Sequence, residues 1–91
     1  MQLYDIIKSR IGRDGIGYYC GMLQQPEYDQ SNFINGKAFD ITVDWKHEKS
    51  VISTFTWIAG APQNWQVVAR LNETVEFEEI EKVLQEVLKN V

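Results

Sequence analysis

Three consecutive segments of the chain alternate apolar and polar side chains with a period of two, and that alternation limits the fold more than any other feature. Odd positions read Phe39, Ile41, Val43, Trp45, then Val51, Ser53, Phe55, Trp57, then Trp65, Val67, Ala69, Leu71. Even positions read Asp40, Thr42, Asp44, Lys46, then Ile52, Thr54, Thr56, Ile58, then Gln66, Val68, Arg70, Asn72, and are mixed but mostly polar. Strand side chains point to alternate faces, so each segment is predicted to offer one apolar face to an antiparallel meander. A symmetric register across the turns sets Trp57 against Trp65, Phe55 against Val67 and Trp45 against Val51. Trp57 and Trp65 flank a break containing Gly60 and Pro62, and this register sends both indoles into the core, the alternative being an aromatic grip held out for a partner.

Something must cover the apolar face. Phe77, Ile80, Val83, Leu84, Val87, Leu88 and Val91 form a stripe at helical spacing. Thr74 suits the N-cap of such a helix, and Glu76, Glu78 and Glu79 suit the positive end of its dipole. At the other end, Leu3, Ile6, Ile7 and Ile11 also recur at helical spacing, with Gly12 as a stop and GRDG as the following turn. IGYYCGML, residues 16–23, reads as a strand, and residues 24–36 as an irregular segment. Asn35-Gly36 there is a tight-hairpin signal, so part of the segment is read as a short extra strand before Lys37. The expected fold is one α+β domain over residues 1–91. It is a two-layer sandwich in the order α-β-β-β-β-α, an antiparallel sheet of about four strands with N- and C-terminal helices packed on one face. That order resembles a double-stranded-RNA-binding domain, which also packs two helices on one sheet face. The family places a lysine cluster at the start of its last helix, where this chain has ETVEFEEIEK, so the resemblance transfers no functional residue.

Charge narrows the partners. The 91 residues carry a net charge of −4, and from Glu73 onward six glutamates face only Lys82 and Lys89. Nucleic acid and anionic membranes both require clustered Lys and Arg, so neither is an expected partner. Asp5, Lys8 and Arg10 interrupt the apolar run that a signal peptide needs. With the one cysteine, Cys20, unable to form a disulfide within the chain, these features point to the cytoplasm.

Catalytic groups are sparse. His47 is the one histidine, placed between two strands near Ser50 with no orienting third group. Asp40 and Asp44 lie ~13 Å apart at strand rise, too far to share a proton or a metal. GRDGIG lacks the strand-to-helix setting and lysine of a phosphate loop, and Cys20 has no activating cation beside it. No catalytic residue, metal site or cofactor is expected.

Function is therefore sought on surfaces. The leading expectation is a non-enzymatic protein-binding module of the inhibitor, immunity or phage-antagonist kind. Glu27, Tyr28, Asp29 and Phe33, with Glu76, Glu78 and Glu79, would contact a partner with a basic surface. The alternative is a structural or regulatory homo-oligomer, monomer and homodimer both being open, using an outer sheet face of Thr54, Thr56, Ile58, Val68 and Arg70. A small-molecule sensor, or an enzyme with an unfamiliar site near Tyr18 or Cys20, is a third reading.

Overall fold

The structure, a computed structural model, describes residues 2–11 and 15–89. Among these, six strands make one antiparallel sheet: β1 (Tyr4–Ile11), β2 (Ile16–Met22), β3 (Glu27–Tyr28), β4 (Ile34–Asp44), β5 (Lys49–Ile58) and β6 (Ala61–Leu71). A 3-10 turn at Phe77–Glu79 leads into one helix, α1 (Ile80–Leu88). The strands lie side by side as β1-β2-β4-β5-β6, with the two-residue β3 paired to β4. On one face of the sheet Tyr19, Phe39, Ile41, Val43 and Ile52 pack against Val75, Ile80 and Leu84, all buried.

The expected α-β-β-β-β-α order is wrong, and the first element shows why. Residues 4–11 are a strand, not a helix. Between Tyr4 and Ile7 the register with β2 shifts, and Asp5 adopts a φ of 50°. A bulge inserts one extra residue and reverses the phase of the alternation. Leu3 and Ile6, three apart, therefore both pack towards the core, as helical spacing would have them do. The expected stop at Gly12 and the turn residues Arg13 and Asp14 lie outside the described residues, as does Val91. Without a first helix, the likeness to a double-stranded-RNA-binding domain also lapses.

The closing helix begins later than a cap at Thr74 would place it. Ser50 donates its hydroxyl to the Glu73 carbonyl at 2.8 Å, and the non-helical residues that follow drop Val75 into the core. Helical backbone starts at Phe77, and Glu76 rather than Thr74 holds the N-cap position, without a side-chain hydrogen bond.

The register of β5 against β4 is the second correction. Four residues, 45–48, connect these strands. The Asp44 carboxylate accepts the His47 N–H at 3.1 Å and bonds Nδ1 at 2.8 Å, while Glu48 takes a φ of 54°. That hydrogen bonding holds the Asp44 carboxyl below the usual carboxylate range. An even-numbered connection pairs odd residues of β4 with even residues of β5. Ile41 faces Ile52 and Phe39 faces Thr54, whereas Ala38 faces Phe55 and Gly36 faces Trp57. Directly opposed residues share a face, so Val51, Ser53, Phe55 and Trp57 point away from the helix. The parity of one turn sends the aromatics to the other side.

Ala59 and Gly60 make the next turn, with φ of 51° and 80°, the double left-handed pattern of a two-residue hairpin. Two register shifts then interrupt β6. At the first, Val68 goes unpaired and packs with Ala69 towards the core. At the second, Asn64 has a φ of 59°. Residues 24–36 are not irregular throughout. The Asp29 carboxylate accepts the Ser31 and Phe33 N–H groups, closing a small hairpin through β3. Asn35-Gly36 is not its turn. It lies within β4, where the Asn35 side chain accepts the Ala59 N–H at 2.9 Å.

Candidate functional site

The face opposite the helix carries the surface that most needs explaining. Phe55 lies at its centre, buried with Met22 and Ala38, and Tyr4, Ile34 and Trp57 pack around them. Trp65 stacks on Phe55 with ring centroids 4.1 Å apart and planes 25° from parallel, and Trp57 meets Phe55 edge-on at 5.3 Å. The indole of Trp65 nevertheless remains 52% exposed, Val67 beside it 47%, and Ile7 on the far edge strand 60%. The core placement expected for both indoles is thus overturned: Trp65 is half in solvent, and Trp57 is partly buried on the uncovered face. Between Ile7, Cys20, Met22, Ile34, Phe55 and Trp57 the surface dips into a hollow of about 110 Å³, the size of one apolar side chain.

A polar cluster sits above this apolar ground. Asp40, 9% exposed, accepts the Tyr18 hydroxyl at 3.2 Å and is paired with Ser53 across the strands. Burial pushes the Asp40 carboxyl up, while hydrogen bonds from Tyr18 and Ser53 pull it back. Burial, then the Asp40 charge, raises the Tyr18 hydroxyl to about 12. The same two causes raise the Cys20 thiol, keeping it protonated and weakly nucleophilic at neutral pH.

A titration experiment follows from Asp40. Its folded-state pKa lies above the unfolded value, so its charged form opposes folding at any pH above the folded pKa. That penalty fades as pH falls through the folded pKa and is gone below the ordinary carboxylate value of 3.8. Asp40→Asn is expected to raise the urea midpoint at pH 7, with the advantage shrinking as pH falls into the carboxylate range. A constant difference across that range would show that Asp40 is not perturbed by burial.

The residues singled out from the sequence do not converge. Glu27 and Tyr28 are exposed on β3, with Tyr28 opposite Ile34. Asp29 is occupied by its turn, and Phe33 lies against Gly60. Glu76, Glu78 and Glu79 lie at the entry to the helix, in the layer behind the sheet. The alternative set divides as well. Thr54 and Thr56 line a cleft of about 430 Å³ on the helix side with Lys37, Gln66 and Leu88. Val68 packs into the core, Ile58 is exposed beside a turn, and Arg70 lies across from Val51 on the open face. Missed entirely were Ile7 and Val67 as exposed neighbours around the buried Met22 and Phe55 on one face. The available signal was β5 itself, which has Ile52 on one parity and Phe55 and Trp57 on the other.

No known protein family, curated protein or solved structure matches this chain. Among the described residues, no helix is long and apolar enough to cross a membrane.

Proposed function

We propose that the chain is a small, cytoplasmic, non-enzymatic protein-binding module that acts by surface contact. Its contact surface in this reading is the open sheet face rather than the acidic helix. The observation that carries the proposal is Trp65, half exposed yet held rigid by stacking on Phe55. A pre-ordered indole loses little conformational freedom when a partner covers it, and exposed aromatics of this kind anchor interfaces. Val67 and Ile7 extend the apolar ground on either side of the centre, as partner-binding surfaces do. The protonated Cys20 and Tyr18 support a recognition role over a nucleophilic one.

The test places a photo-crosslinking side chain at position 65 or at position 78 of the full chain, in the cells that express it. Position 65 is expected to give discrete protein adducts that Val67→Lys abolishes, and position 78 to give none. Adducts confined to position 78 would move the contact to the acidic helix. Absence of any protein adduct at 65 would overturn the proposal.

A further inference from the structure

The open face also indicates what covers it, an inference that rests on the protein-binding reading. Strand registers set this face out in rows. One row runs Ile7, Cys20, Asp40, Ser53, Val67 from edge to edge. The next runs Tyr4, Met22, Ala38, Phe55, with Trp65 stacked beyond. These two rows read much the same from either end, with large groups outside and a small or polar one on β4, the central strand. We propose that this face packs against the same face of a second copy, about a two-fold axis parallel to β4, giving a face-to-face β-sandwich dimer. Such an axis lays Val67 of one copy over Ile7 of the other and Trp65 over Tyr4, with Phe55 and Met22 already buried beneath them. This is the reciprocal matching that an isologous interface requires.

Size and charge support the same occupant. Five strands lie side by side at ~4.8 Å, each of seven to eleven residues at ~3.3 Å per residue, which gives the open face roughly 550–850 Å², close to the ~800 Å² that each partner contributes to a standard interface. Residues 1–72 contain seven acidic and seven basic side chains, so the whole net charge of −4 falls in the segment from Glu73. That segment packs on the far side of the sheet. Face-to-face stacking keeps the two acidic layers outermost, with two sheets between them and well beyond a Debye length of ~8 Å. Pairing through the helices would bring the layers together. A basic partner would be drawn to the helix layer, whereas the open face suits a neutral apolar surface like its own. The price of this geometry is at the centre, where the two Asp40 carboxylates approach each other. On each copy Tyr18 and Cys20 of β2 and Ser53 of β5 surround that carboxylate. Asp40→Asn removes the central repulsion and should tighten the dimer.

Sedimentation equilibrium on the full chain is the test, with circular dichroism to confirm that each variant is folded. The wild-type chain should move from one to two copies with rising concentration. Val67→Lys should raise the dissociation constant by about tenfold or more, Asp40→Asn should lower it, and Glu78→Lys should leave it unchanged. Small-angle scattering should show a compact dimer whose longest dimension stays close to the 43 Å of one copy. An elongated dimer, or one indifferent to both Val67→Lys and Asp40→Asn, would overturn the proposal. So would monomers at about 1 mM in both the wild-type chain and Asp40→Asn. If those monomers still give adducts to a different protein from position 65, the second copy is excluded and the protein-binding reading stands. If they give none, both fall.

Discussion

Phe39→Ala is expected to lower stability by about 3–5 kcal/mol, the usual loss for emptying a buried aromatic site. Phe39 is fully buried at the middle of the central strand, under the layer formed by Val75, Ile80 and Leu84. A chain of this length has a total stability of roughly 5–14 kcal/mol, so the substitution removes a large share of it. At about 4–8 °C per kcal/mol for a domain of this size, the melting temperature should fall by more than ~12 °C. Urea unfolding should show a lower midpoint with little change in slope. Val67→Ala, measured at concentrations too low for association, should cost no more than about 0.5 kcal/mol. Equal losses in the two variants would mean that the packed layer is not on the helix side.

Gly17→Ala is expected to destabilise the fold by about 1–3 kcal/mol, for a different reason. Glycine 17 lies on β2 opposite Val43, and the six-membered ring of Trp45 rests directly on its Cα. A methyl group added there would fall inside the indole. The ring is rigid, so Trp45 must leave its place against the core or β2 must move. Either response should disturb the turn that follows β4, because the Trp45 N–H donates to the Gly15 carbonyl at 3.2 Å. The decisive measurement is a double-mutant cycle with Trp45→Leu. Gly17→Ala should be nearly harmless in the leucine background, giving a coupling energy above about 1 kcal/mol. Additive losses would place the strain elsewhere.

Much of the sheet was legible in the sequence because β4 obeys one rule throughout. Phe39, Ile41 and Val43 are buried on the helix side, and the stripe at Ile80 and Leu84 lies over them. β5 was harder because it is apolar on both parities. Ile52 and Phe55 each fill a core position, but on opposite faces, so alternation within the strand cannot say which face meets the helix. The decision belongs to the four-residue turn held by Asp44 and His47, a local hydrogen-bonding preference that periodicity does not register. β1 misled for the opposite reason. Its bulge at Asp5 imposes a spacing of three on Leu3 and Ile6, which is also how a helix presents one face.

The candidate site was the least legible part. Trp57 and Trp65 were recognised as unusual, but their exposure depends on tertiary facts: the turn parity after β4 and the register shifts in β6. The acidic residues at 76, 78 and 79 were conspicuous by type, yet they lie in the layer that already has a neighbour. The open surface is assembled from Ile7, Trp65 and Val67 around the buried Met22 and Phe55, residues that come from four strands and share no motif.

The order of the strands has a consequence for synthesis. Each of β1, β2, β4, β5 and β6 pairs with the strand next to it in the meander, so the sheet can grow as the chain leaves the ribosome. Val75, Ile80 and Leu84 emerge after all of them. Until they arrive, the sheet is greasy on both sides, and the nascent chain is most vulnerable to coaggregation in that interval.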